Sequence, residues 1–157
     1  MLNDNIQYSG KKPSSECLYF AAQIIPMPKL FPYEQLFSFT RRIFIKIGCS
    51  ETDADLATKT LLSADLRGVD SHGVARLSGY VRLWEAKRVN AKPEIRVIHE
   101  TPSTGVVDGD SGLGLVVAPF SMQVAIDKAK QVGTGWVSVQ NSNHWNCCLS
   151  RNDGPRT

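Results

Sequence analysis

The sequence predicts a mixed α/β fold, an amino-terminal helical unit followed by a strand–helix–strand portion. Three observations predict it. Apolar stripes of helical period, joined by Gly-containing turns, occupy the chain from Tyr33 to Trp84. Alternating apolar residues begin after Asn90, and a further helical stripe then lies between two short β-rich runs.

In the first helical stretch, Leu36, Phe39, Ile43 and Ile47 form the apolar stripe, and Gly48 is placed to end it. Ser50 can cap a second helix, with Asp53 three residues on. Ala54, Ala57, Leu61 and Ala64 share its inner face, and Gly68 stops it. Ser71 can cap a third helix whose inner face is Val74, Leu77, Val81 and Trp84. Ile95, Val97 and His99 then alternate with polar residues, and Gly105 to Asp108 reads as a second short strand. A glycine-rich turn, Asp108 to Gly114, follows. Pro119 fits the first turn of a helix with Met122, Ala125, Ile126 and Ala129 as its apolar face and Gly133 as its end. Trp136 to Val139 is the last strand, and Asn141-Ser142-Asn143-His144 leaves its carboxyl end.

Three segments result: a loose extension over residues 1–29 without sustained period, an ordered domain over 30–145, and a tail over 146–157 that lacks the helix expected next. The 157 residues, 42% hydrophobic and 21% charged, suit one globular domain. The net charge of +3 is mild and its cations are scattered, which argues against a nucleic-acid partner. No apolar run approaches the ~18 residues of a membrane span. The stretch Leu18 to Leu30, broken by Gln23, two prolines and Lys29, is a poor targeting segment, so a cytoplasmic protein is expected. Cys17, Cys49, Cys147 and Cys148 form no Cys-x-x-Cys pair and read as reduced thiols, with no metal site.

Three segments bear on chemistry. In Asp65 to Leu77, a helix starting at Ser71 would place His72 and Arg76 four residues apart on one face. The helix dipole does not favour cations at that end, but a carboxylate ligand does, because Arg offers a forked donor. Alternatively Arg76 pairs with Asp70 and His72 is a turn residue. Gly112-Leu113-Gly114 begins like a dinucleotide fingerprint, but Val117 stands where a third glycine or alanine belongs, and it reads mainly as a tight turn. His144, just beyond a strand and among side-chain amides, suits general acid–base work near neutral pH; a hydrogen-bonded turn histidine is the other reading. His99, beside Glu100 in a strand pattern, is assigned no chemistry.

Together Ala64 to Gly73, Asp108 to Gly114 and Asn141 to His144 resemble, in order and interval, the malate/L-lactate dehydrogenase family that is distinct from the Rossmann-type lactate and malate dehydrogenases. The resemblance covers roughly Pro32 to Trp145. It implies an oxidoreductase that uses NAD or NADP and acts on a small 2-hydroxy acid such as malate, lactate, ureidoglycolate or sulfolactate. It also implies the family's own non-Rossmann α/β fold and a homodimer. By the same resemblance His144 matches the acid/base histidine, while Ser71, His72 and Arg76 match substrate-pocket positions, with Arg76 holding the carboxylate. The family's cofactor-binding residues lie largely downstream of that histidine. The segment from Asn146 to Thr157 departs from the family pattern, which continues with Gly and small apolar residues into a helix. Read one base into the Trp145 codon, TGG followed by AAT or AAC must begin with a glycine codon. Permitted codons can then continue Ile-Ala-Ala-Tyr-His-Ala-Met-Met-Ala-Gln-Glu. The expectation is therefore a frame change near Trp145, an amino-terminal fragment of such an enzyme, and an incomplete site with little or no activity.

Overall fold

A computed structural model describes residues 30–144; the extension assigned to 1–29, Trp145 and the tail assigned to 146–157 lie outside the described residues. Helix α1 spans Tyr33–Lys46 and α2 Glu51–Leu66. Two 3-10 turns, Asp70–His72 and Val74–Arg76, lead into α3, Leu77–Glu85. Then come β1 (Arg96–Glu100), β2 (Thr104–Gly112), α4 (Gly114–Val132) and β3 (Trp136–Ser142). The sheet order is β1-β2-β3. The first pair is antiparallel and the second parallel, as a helical crossover between β2 and β3 requires. Helices first, then strand–helix–strand, is the fold class expected.

The expected inner face of α2 is met in full. Ala54, Ala57, Leu61 and Ala64 have no exposed surface. Ser50 caps the helix by accepting from the Asp53 N–H at 3.1 Å and donating to its carboxylate at 2.7 Å. Gly48, Gly68 and Gly133 take φ of 103°, 72° and 85°, the left-handed conformation that ends a helix. Arg41 of α1 pairs with Asp55 and, at 3.4 Å, with Glu51, tying the two helices at the surface. Among the described residues, no helix is long and apolar enough to cross a membrane.

Four expectations need correction. In α1 the buried residues are Thr40 and Phe44, with Ile47 at its end, whereas Phe39 is 49% exposed. The stripe that meets α2 therefore centres on Thr40, Phe44 and Ile47; the expected Ile43 packs against it, while Phe39 falls at its exposed edge. Ser71 does not cap a third helix. Gly73 separates the two 3-10 turns, the α-helical phase begins at Leu77, and the inward residues are Leu77, Tyr80 and Leu83 rather than Val74, Val81 and Trp84.

The segment Asp108 to Gly112 is not a turn but the bulged end of β2. Asp108 pairs with Gln140 and Gly112 with Ser142, so Gly109, Asp110 and Ser111 stand opposite Asn141 alone. Finally, α4 begins at Gly114, and Pro119 lies in its second turn. Leu115, Val116, Val117 and Ala118 fill the core, while Met122 is 49% exposed. The apolar end of this helix is thus inserted into the core, and its far half rides on the sheet. There Lys128 is buried because its ammonium donates to Glu100 Oε2 at 3.0 Å and to the Thr101 carbonyl at 2.8 Å.

Candidate functional site

His144 stands two residues past the end of β3. Its neighbour Asn143 fixes the backbone there. The Asn143 N–H donates to the Gly112 carbonyl at 3.2 Å. Its carboxamide Nδ2 donates to the carbonyls of Ser111 at 2.7 Å, Arg88 at 3.2 Å and Gly112 at 3.2 Å. One side chain thus joins β3's end, the β2–α4 junction and the loop after α3. The first residue of α4 completes the seat: a Cβ on Gly114 would overlap the carbonyl oxygens of His144 and Asn143. Glycine is required there because protein backbone fills the space. A Cβ on Gly112 would likewise meet Pro93 at 2.7 Å. Gly112-Leu113-Gly114 therefore does not fit a phosphate cradle, and it serves to seat the histidine.

The bulge feeding this junction is held by carboxylates. Asp108 Oδ1 accepts from the Asp110 N–H at 3.0 Å and from Asn141 Nδ2 at 3.2 Å. Those bonds, the backbone one foremost, hold the Asp108 carboxyl below the usual range. Asp110 Oδ2 accepts from Asn90 Nδ2 at 2.9 Å and the Glu94 N–H at 3.0 Å. Asp110, Ser111 and Asn141 all have positive φ, from 47° to 56°. This strained run is stabilised by its own hydrogen bonds.

Arg76 ends the second 3-10 turn. Its Nε donates to the Ser71 carbonyl at 2.7 Å. Its terminal Nη groups have no partner among the described residues, and no ion pair there joins Arg76 to Asp70. The Ser71 hydroxyl lies 2.9 Å from His72 Nδ1, with the donor set by the tautomer. The His72 and His144 ring centroids are 6.5 Å apart. The turn itself depends on Asp65, whose Oδ2 accepts from the Val74 N–H at 2.9 Å. Gly73 is needed because a Cβ would overlap that carboxylate. The sequence thus brings Ser71, His72 and Arg76 together by two short turns, not along one helical face.

Arg76 and His144 line one cavity of about 370 Å³, with Tyr80, Arg82, Leu83 and Arg88 among its other walls. Ser71 and His72, expected in the same pocket, are not among its walls. Tyr80 is 4% exposed, and burial pushes its phenol pKa up against the opposing pull of Arg76, so it stays neutral. Arg82, Arg88, Asn143, Asp65 and Tyr80 received no role from sequence. Their placement depends on the phase of α3 and on the bulge in β2.

A histidine and a half-anchored guanidinium around one cavity, on an α/β scaffold, can hold a small anion and move a proton. Residues 31–151 match the model of the malate/L-lactate dehydrogenase family, and the chain belongs to that family. It is 51% identical over 114 residues to a malate dehydrogenase of Pyrococcus horikoshii, covering 73% of this chain and 32% of that protein. It is 43% identical over 100 residues to an L-sulfolactate dehydrogenase of Methanocaldococcus jannaschii, covering 64% and 29%. The solved structure of the Pyrococcus horikoshii enzyme superposes with a TM-score of 0.71 at 50% identity, over 73% of this chain and 33% of that one. The chain thus spans about a third of the length of the relatives it matches.

Proposed function

We propose that this chain carries the proton-transfer and carboxylate-holding wall of an NAD(P)-dependent 2-hydroxyacid dehydrogenase site. The observation that carries the reading is that His144 and Arg76 line one cavity in a member of this family. Arg76, anchored through Nε, presents its forked Nη groups to the substrate carboxylate. His144 takes the proton of the 2-hydroxyl group during oxidation and returns it to the 2-oxo oxygen in reduction. His72 stands near His144, with ring centroids 6.5 Å apart, and Ser71 bonds to His72, while Asn143 and Gly114 hold His144 in place. NAD or NADP, when bound, supplies the hydride acceptor. The substrate is a small 2-hydroxy acid of the malate or lactate kind, and the full-length protein is a cytoplasmic homodimer.

A second reading is favoured by the chain's span of about a third of its relatives: these 157 residues hold the acid but do not turn it over. Hydride transfer needs donor and acceptor held in contact, and one wall does not do that. NAD- and NADP-dependent oxidation of L-malate and L-lactate, run beside direct binding of each acid, separates the two. Turnover abolished in His144→Ala supports the first reading. Saturable binding without turnover supports the second, and absence of both binding and turnover contradicts the two together.

A further inference from the structure

We propose that Thr40 of α1 and Thr58 of α2 together bind one buried water molecule between the two helices. Both threonines have no exposed surface, and neither hydroxyl has a hydrogen-bond partner among the described residues. Neither lines the cavity shared by Arg76 and His144, so the site is independent of the proposed dehydrogenase chemistry.

A buried hydroxyl left without a partner forfeits its hydration, and a helical threonine or serine normally avoids this by donating to the carbonyl four residues earlier. Thr60 does so to the Leu56 carbonyl at 2.9 Å, and Ser121 to the Val117 carbonyl at 2.8 Å. Thr58 stands two residues before Thr60 on the same helix and does not take that bond, nor does Thr40 on α1. Their Oγ1 atoms are therefore turned away from the carbonyls of their own helices.

Packing sets where they turn. Glu51, Asp55, Thr58 and Leu62 follow at intervals of four, three and four, which is one face of α2. Arg41 of α1 pairs with the first two, so this face meets α1. Thr40 is buried on the stripe by which α1 meets α2. Only residues 47–50 join the helices, so they run in opposite directions with Arg41 beside Asp55. From that level Thr40 lies about 1.5 Å and Thr58 about 4.5 Å farther from the connection, an axial offset of about 3 Å. The two hydroxyls do not bond each other. One water, with a bond of about 2.8 Å to each, spans up to about 5.5 Å between them. The Leu36 and Ala54 carbonyls, one turn before each threonine, offer a second lone pair for the water's own protons. The other residues a turn away, Phe44, Ala54, Leu61 and Leu62, are buried and apolar, so a neutral molecule fits and an ion does not.

Shape-matched valine substitutions in the full chain, alone and together, test this by urea denaturation. Thr40→Val and Thr58→Val each remove one partner of the water, and each is expected to lower the folding constant about fivefold. The double variant is expected to lose no more than the worse single one, because the two hydroxyls share one ligand. Water-to-methyl cross-relaxation, read by NMR in the wild-type protein, is expected at both threonines with the sign of a long-lived water. In Thr40→Val the Thr58 signal should vanish, which separates a bridging water from exchange of the Thr58 hydroxyl itself. Stabilisation by either valine would overturn the inference, since a dry hydroxyl is a cost that valine removes. Additive losses in the double variant would overturn it as well, and so would absence of the water signal from the wild type, which needs no variant to fold.

Discussion

Two glycine-bearing segments build the site, Asp65 to Arg76 and Asp108 to Gly114, and they handle their polar groups in opposite ways. Both use an aspartate to bind a backbone N–H: Asp65 takes Val74's, and Asp108 and Asp110 take those of Asp110 and Glu94. In both, a glycine is forced by close packing, against a carboxylate at Gly73 and against backbone at Gly114. The second segment spends its polar groups on internal bonds and ends in a fixed seat for His144. The first leaves the Nη groups of Arg76 without a described partner, facing a cavity. Satisfied polar groups are scaffold, and unsatisfied ones beside a cavity bind.

The sharpest way to break this contrast is Gly114→Ala. The added methyl meets a backbone carbonyl that cannot swing aside, and a loss of about 3 kcal/mol is expected, read as a lower denaturation midpoint. Asp65→Ala should cost less, about 2 kcal/mol, because the freed Val74 N–H can be rehydrated at the partly exposed turn. In the same denaturation assay an effect of Asp65→Ala larger than that of Gly114→Ala would reverse the comparison.

Asp108 sharpens it through pH. Its folded pKa is depressed, so the stability it contributes is present above the ordinary aspartate range and lost as pH falls through the lower folded value. Asp108→Asn should therefore melt below wild type at neutral pH, and the two melting curves should converge in acid. The smallest structural effect is expected at Arg76. Arg76→Ala should change stability by no more than about 0.5 kcal/mol, since this exposed side chain makes one bond. A large loss of stability there would move Arg76 from binding to scaffold.

Much of this was legible in the sequence, for identifiable reasons. The small-residue face of α2 and its serine cap depend only on local period and spacing, so Ala54, Ala57, Leu61, Ala64 and Ser50 were placed correctly. His144 and Arg76 were found as candidates, and the structure brings them to one cavity. What was not legible depended on tertiary packing. Phe39 and Met122 fit a helical stripe yet face outward, because the partner element sets which edge of the stripe is covered. The helix expected at Ser71 broke at Gly73, where Asp65 captures the Val74 N–H from nine residues away. That break shifts the phase of α3, and with it the exposure of Arg82 to the cavity. The role of Gly112-Leu113-Gly114 needed a long-range contact with His144 that no local pattern contains.

The central claim is that His144 and Arg76 address the same bound acid. The most direct measurement is the ring resonances of His144, followed by NMR while L-malate is titrated into wild-type protein and into Arg76→Ala. A saturable shift in the wild type that is lost in the variant is the predicted result. A His144 that does not respond, or that responds equally without Arg76, would contradict it.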